Sequence, residues 1–413
     1  MEPNETDRLA TPGDGPLAGV RVLDLTAVLM GPHATQLLGD FGAEVIKVES
    51  PAGDTTRGIG PWRHPGMGAG FLHVNRNKRA IAIDLKAERG RDVLLRLARD
   101  ADVVVYNVRP AAMKRLRLTY DVFAEVNPRI VYCGVYGYGQ DGPYAAFPAY
   151  DDLIQGAIGL PELVGRVGDG TPRYVPIVFV DRAVGAAAVN AILAALYRRE
   201  RTGRGQAVDV PMFETMVPYV LGEHMAGRTF EPPLGAVGYP RLMSRERRPF
   251  RTRDGYVCAV IYTDRHWRDF HALTGRAAAF AADPRVQSIG ERTKHMAELG
   301  AELAAIFETD TTDRWIERLN AVDIPCMRLN TPESLMDDPH LRAVGYFQRF
   351  EHPSEGGTWQ MRPAARFSEP VGDPPLPAPR HGQHTREVLA AAGYAEAEID
   401  ALIEAGAVRA ETR

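Results

Sequence analysis

Apolar positions along the chain fall alternately into short continuous runs and helically spaced faces. Residues 20–25 form an aliphatic and β-branched run, 32–41 carry helical spacing after Gly31, and 44–48 are again strand-like, so the chain opens as strand, helix, strand. The pattern then repeats. Residues 80–85 read as a strand, 88–100 as an amphipathic helix with Val93, Leu94, Leu97 and Ala98 on one face, 103–108 as a strand, 121–126 as a short helix and 130–135 as a further strand. Alternation of this kind requires right-handed crossovers and predicts an α/β fold with a mostly parallel sheet covered by helices. Residues 181–198 are apolar nearly all round and rich in alanine (Ala186, Ala187, Ala188, Ala191, Ala194, Ala195), which predicts a closely packed interior helix.

The character changes after Met225. Pro232, Pro233, Pro240 and Pro249 are spaced through a segment that holds Arg241, Arg245, Arg247, Arg248, Arg251 and Arg253, and residues 226–250 read as a solvated, basic linker. Beyond it, Asp254-Gly255 signals a hairpin before a strand at 256–262, and helical spacing returns around Trp267 and over 294–307, so a smaller α+β domain is expected. A proline-rich strip at 370–379 precedes a helix-rich tail. No internal repeat of fixed period is present.

Length and composition narrow the picture. The 413 residues, 45.4 kDa, favour two domains over one undivided core. Charged residues make up 25%, and 49 Lys+Arg against 53 Asp+Glu leave a net charge of -4, which speaks against disorder and against a basic footprint for nucleic acid. Cys133, Cys258 and Cys326 are far apart, so neither a disulfide framework nor a zinc site is indicated, and a reducing cytoplasm is the expected location. Residues 1–16 read as a flexible leader without a signal-peptide run. The most apolar stretch, 183–197, contains Asn190 and is shorter than the ~20 residues that span a bilayer, so no membrane association is expected.

Candidate chemistry gathers in loops. The segment from Asp24 through Gly31-Pro32 to Glu49 puts a helix N-terminus after one strand and an acid at the end of the next, a geometry that suits a nucleotide. It has one glycine where a dinucleotide fingerprint has three, and Pro32 removes an amide donor, which counts against a nicotinamide dehydrogenase. Asn75-Arg76-Asn77-Lys78-Arg79, Asn107-Val108-Arg109-Pro110 and the glycine- and tyrosine-rich 134–143 segment are read as further strand-end loops, suited to phosphates and a base; turn chemistry alone also explains their Asn and Gly. Gly168-Asp169-Gly170 is by spacing a simple turn. Its flanking glycines would also leave a carboxylate nucleophile open to a bulky acyl donor and bare amides for an oxyanion. Remaining histidines such as His33, His266 and His271 have no metal-ligand spacing, and no metal site is expected.

Several segments taken together resemble one family. Gly19-Val20-Arg21-Val22-Leu23-Asp24, Phe41-Gly42-Ala43-Glu44-Val45-Ile46-Lys47-Val48-Glu49, Asn75-Arg76-Asn77-Lys78-Arg79, Asn127-Pro128-Arg129, Arg201-Thr202-Gly203-Arg204-Gly205-Gln206 and Gly382-Gln383-His384-Thr385 with Gly393-Tyr394 are similar to the class III CoA-transferases, which include formyl-CoA:oxalate and carnitine CoA-transferases and are related to the α-methylacyl-CoA racemases. The resemblance implies a Rossmann-like large domain built from both ends of the chain (17–225 and 336–413), a small domain at 251–335, and two chains interlaced as a homodimer. It implies coenzyme A or acyl-CoA as substrate, with no permanently bound cofactor, and a free carboxylic acid as acceptor. Asp169 is then the nucleophile, passing through an aspartyl anhydride and an aspartyl-CoA thioester. CoA is expected against Val28, Leu29, Asn75, Arg76, Asn77, Asn107, Arg109, Arg115 and the Tyr136, Gly137, Tyr138, Gly139 loop.

Two features separate the chain from its relatives. Oxalate-specific members carry a run of several glycines over the nucleophile, and the matching region here has only Gly235 and Gly238 among prolines and arginines. Racemases exchange a proton between a His in Gly-His-Asp and an Asp, and here Ala149-Tyr150-Asp151 stands in that place. A tyrosine with a pKa of about 10 is a poor exchange partner for Asp181, the second carboxylate of that scheme, which reads more simply as a helix N-cap. Transfer is therefore favoured over racemisation. A CoA-binding homologue without turnover is the third reading.

Overall fold

The computed structural model describes residues 15–368 and 376–411. The expected leader and proline-rich strip fall largely outside them. The strands are β1 (Arg21–Leu25), β2 (Glu44–Glu49), β3 (Lys78–Ile83), β4 (Val103–Tyr106), β5 (Val131–Tyr136), β6 (Gln206–Pro211), β7 (Phe250–Arg251), β8 (Tyr256–Ala259), β9 (Cys326–Arg328), β10 (Phe347–His352), β11 (Gly356–Met361) and β12 (Val408–Arg409). The chain separates into two compact units. The first takes in the chain up to Ile158, Val175–Pro218 and the chain from Tyr346 onward; the second comprises Gly159–Tyr174 and Tyr219–Gly345, so it begins ahead of the 226–250 segment and recruits a piece upstream.

In the first unit a seven-stranded sheet has the order β12-β3-β2-β1-β4-β5-β6. All neighbours are parallel except β12, which runs antiparallel to β3. Strands covered on both faces carry no polar alternation, which is why β4 (VVVY) reads as an unbroken apolar run and is buried throughout. The helix Glu88–Ala98 buries the predicted face of Val93, Leu94, Leu97 and Ala98 against this sheet. Strand order reverses between β1 and β4, so the carboxyl ends of these two strands form the switch point of the sheet, where open α/β folds leave a crevice.

The alanine-rich segment forms one helix, Phe179–Thr202, of 24 residues, longer at both ends than the predicted 181–198. By length and composition it is apolar enough to cross a membrane, and half of its apolar window is buried inside the chain. It packs on the helix Met30–Asp40. The approach is close: a Cβ at Gly185 would lie 2.8 Å from the Met30 carbonyl oxygen. The helix ends at Gly203 in the left-handed region (φ 71°), and a Cβ at Gly205 would overlap the Ile130 carbonyl, so the Gly203-Arg204-Gly205 motif is what turns the chain into β6.

The second unit has a three-stranded antiparallel sheet in the order β7-β8-β9. Its hairpin falls at the predicted Asp254-Gly255, closed by the Thr252 N–H donating to the Gly255 carbonyl at 2.9 Å. Trp267, Phe270, Phe307, Trp315 and Leu319 form its core.

Candidate active site

Two loops at the switch point are locked to each other by one side chain. The Asn107 amide, just past β4, donates to the Ala27 carbonyl at 2.7 Å and accepts the Ala27 N–H at 3.0 Å, imitating a peptide group between the carboxyl ends of β1 and β4. Val28 follows with φ 72°, a left-handed conformation that a β-branched residue holds only when its surroundings impose it, at a cost of about 1–3 kcal/mol. Its N–H donates to Asp54 at 3.2 Å. Strain held at a sheet's switch point fits a preformed ligand loop, and Val28 and Leu29 are both partly exposed there.

Beneath the loop lies a buried charge network that the sequence reading did not single out. Asp24, at the end of β1, accepts from Thr26, Thr35 and Lys78, the last at 2.9 Å. Lys47 donates to the Thr26 carbonyl at 2.9 Å and to Asp54 at 3.0 Å. Burial pushes the Asp24 carboxyl up, but Lys78 and Lys47 outweigh it and hold it at about 2; burial lowers Lys78 to about 8 against the pull of Asp24. The available signal was a charged residue inside a strand otherwise buried, as in EVIKVE.

The helix Phe179–Thr202 brings Asp181 to this region, one turn before Gly185 and its contact with Met30. Asp181 is 9% exposed. Its backbone N–H donates to Asp151 at 2.9 Å, and Asp151 in turn accepts from Gln155 at 2.6 Å. Burial, then the neighbouring Asp151 charge, pushes the Asp181 carboxyl up to about 7, against the pull of Arg182. Arg182 lies 3.0 Å from His33 Nδ1. Burial and then Arg182 depress His33 to about 4, so that imidazole is neutral at physiological pH.

The other predicted residues have distinct surroundings. Arg109 and Arg115 are exposed beyond β4, with Arg109 reaching the Ala146 carbonyl at 3.2 Å. Tyr136 is buried, and burial together with Asp209 pushes its hydroxyl far above the usual range, as expected of a core tyrosine. Tyr138 packs among Tyr144, Phe147 and Phe213. Gly137 admits Ala149, since a Cβ there would come within 2.4 Å of it, and the Gly139 N–H donates to Glu214 at 2.9 Å.

Asn75, Arg76 and Asn77 depart from expectation. They precede β3 and therefore do not belong to the loops that follow the parallel strands. Their side chains are also committed: Asn75 to the Phe71 carbonyl and Lys78, Arg76 to Asp40 (2.6 Å) and the Met361 carbonyl, Asn77 to Asp40 at 2.7 Å. Asp169 belongs to the second unit, where it follows the helix Leu160–Val167 in an exposed turn. Its side chain is 61% exposed, accepts the Thr171 N–H at 2.9 Å and pairs with Arg173 at 2.8 Å. The Thr171 hydrogen bonds, then Arg173, hold its carboxyl below the usual range. Among the described residues no group of three His, Cys, Asp or Glu side chains could hold a metal ion.

Comparison with known proteins bears on this site. The family model for CoA-transferase family III matches residues 17–385. An acyl-CoA transferase of Fusarium pseudograminearum is 35% identical, the match covering 92% of this chain and 85% of the relative. A succinyl-CoA:glutarate CoA-transferase of Mus musculus is 33% identical over 95% of this chain and 90% of its own. The crystal structure of Rv3272 from Mycobacterium tuberculosis superposes with a TM-score of 0.77 at 31% identity, covering 91% of this chain and 99% of that one. The α/β sheet, its strained switch-point loop and a match along almost the whole chain lead to one assignment: the chain belongs to CoA-transferase family III, a family of enzymes.

Proposed function

We propose that the protein moves CoA from an acyl-CoA thioester to a free carboxylic acid by covalent catalysis, with Asp181 as the nucleophile in place of the Asp169 expected from sequence. One observation carries this choice: Asp181 is a buried carboxyl on the switch-point side of the first unit, whereas Asp169 is an exposed carboxylate paired with Arg173. An acyl anhydride survives only where water is kept away, and an enclosed carboxyl meets that condition. The upward shift also makes the ionised Asp181 more basic and thus a better nucleophile.

An Asp181 carboxylate oxygen attacks the thioester carbonyl, the carbon–sulfur bond breaks, and CoA leaves as thiolate from an aspartyl acyl anhydride. The thiolate then attacks the aspartyl carbonyl, releasing the donor acid and leaving an aspartyl-CoA thioester. The acceptor carboxylate reverses the sequence. It attacks that thioester, thiolate leaves, and its return to the acceptor carbonyl yields the new acyl-CoA and frees Asp181. Asp151 and Gln155 hold the backbone and charge around the nucleophile. The strained Val28-Leu29 loop with Asn107, Arg109 and Arg115 supplies the CoA contacts of this reading, and Asn75, Arg76 and Asn77 support the fold instead. The mouse relative is named a succinyl-CoA:glutarate CoA-transferase, which makes a short dicarboxylic acid a sensible first acceptor to assay.

Racemisation gains no support: Tyr150 is 68% exposed and stands where that chemistry needs a histidine. The test is trapping. Incubation with acyl-CoA and hydroxylamine is expected to leave a hydroxamate on the Asp181 peptide, and Asp181→Asn to lose transfer by several powers of ten while still binding CoA. A hydroxamate on Asp169, or transfer retained by Asp181→Asn, would overturn the assignment.

The working form of this reading is a homodimer. Ala186, Asn190, Ala194 and Tyr197 form one exposed stripe along the helix Phe179–Thr202, and a second copy would cover it.

A further inference from the structure

The arginine-rich segment that reads as a solvated linker lines a cavity of about 360 Å³ in the second unit. The floor is apolar, formed by Phe250, Ile261, Trp267 and Leu303, with Trp267 only 2% exposed. Arg241, Arg247 and Arg248 line the same space against a single carboxylate, Glu246, which is already paired with Arg248 at 3.1 Å. Among the described residues Arg241 and Arg247 have no carboxylate partner; Arg241 rests over the Tyr262 ring at 4.4 Å. Two guanidinium groups are thus available beside an apolar floor.

Neither half of this arrangement suffices for a ligand of one character. A bare anion would meet exposed arginines in water, where ion pairs are worth little, and would leave the floor wet. A purely apolar ligand would gain the floor and ignore the charge. An organic acid with an apolar body satisfies both, since the planar guanidinium fork matches a carboxylate and the volume lies within the usual range of small-molecule sites. We infer that the second unit binds an amphipathic monocarboxylate, its head on Arg241 and Arg247 and its body against Trp267. This site does not depend on the transfer chemistry proposed above.

Cys258 lines the cavity and is partly exposed, whereas Cys326, also free and partly exposed, does not line it. Alkylation of the two by N-ethylmaleimide, followed by mass in the whole protein without CoA, therefore reads the site against an internal control. Octanoate is expected to slow modification of Cys258 and leave Cys326 unchanged, while 1-octanol and inorganic phosphate at equal concentration protect far less. The double variant Arg241→Ala, Arg247→Ala should need about ten-fold more octanoate, with unchanged Cys326 reactivity showing that the unit is folded. Equal protection by octanol, equal protection by phosphate, no protection by octanoate, or an unaltered double variant would each overturn the inference.

Discussion

A carboxyl that is 9% exposed beside a second carboxylate is costly to ionise, and Asp181 is such a group. Its folded-state value of about 7 lies above the ordinary aspartate value of 3.8, so between these limits the folded chain binds more protons than the unfolded one. Stability should therefore fall as pH rises from about 4 to about 7, and the deficit, up to about 4 kcal/mol, persists at higher pH. Asp181→Asn removes it. Thermal unfolding at pH 8 is expected to show the variant a few degrees more stable than the wild type, with the gap closing near pH 4. Nucleophilic attack has the opposite pH dependence, because only the carboxylate reacts: kcat/KM should rise through an apparent pKa near 7. A flat profile from pH 6 to 8 would remove Asp181 from the nucleophile's role. Asp169→Asn, which alters an exposed turn, is expected to leave both the profile and the stability within error.

At the scale of elements, the loop after β1 depends on a partner from β4. Asn107→Ala deletes both hydrogen bonds to Ala27, each worth about 1 kcal/mol, and frees a strained Val28 to relax. The expected result is a several-fold higher Michaelis constant for the acyl-CoA donor with kcat little changed; a loss confined to kcat would mean that the loop serves the chemical step instead. Arg115, exposed at the end of the helix Pro110–Arg115, is free to meet phosphate. Arg115→Ala should raise the Michaelis constant for the donor much more than for the acceptor acid, and equal effects on both would reject the CoA contact. Much of this frame was legible beforehand, because doubly covered parallel strands leave unbroken apolar runs and the helix Glu88–Ala98 leaves a clean face. What the sequence hides has physical causes too. Periodicity does not say which end of a strand a loop adjoins, so it does not show that Asn75, Arg76 and Asn77 precede β3 and that their side chains buttress Asp40 and Lys78. Edge strand β6 (QAVDVP) is partly exposed and β12 has two residues, and neither leaves an apolar run. Glycines around Asp169 signal accessibility; the enclosure of Asp181, on which the proposed nucleophile rests, arises from Asp151, Gln155 and a helix packed at Gly185, contacts made across the chain and invisible in local spacing.

For the whole molecule, the helix Phe179–Thr202 poses a question of partners. It is apolar nearly all round, yet only half of its apolar window is covered by its own chain. A helix of that kind is normally buried on every side. Along its open face Ala186 and Ala194 are small enough to let another backbone approach closely, and Tyr197, 66% exposed, adds a large apolar surface. Leaving such surface in water costs roughly 25 cal/mol per Å², which association with a second copy would recover. Sedimentation at micromolar protein is therefore expected to give twice the 45.4 kDa chain mass. Ala194→Arg puts a charge in the middle of the stripe without touching Asp181 or the switch-point loop, so it should yield monomer while the sheet's circular dichroism stays unchanged. If Ala194→Arg sediments as a dimer, the interface lies elsewhere; if the wild type is itself a compact monomer, the interlaced arrangement fails. Loss of transfer in a folded monomeric Ala194→Arg would go further and tie catalysis to assembly.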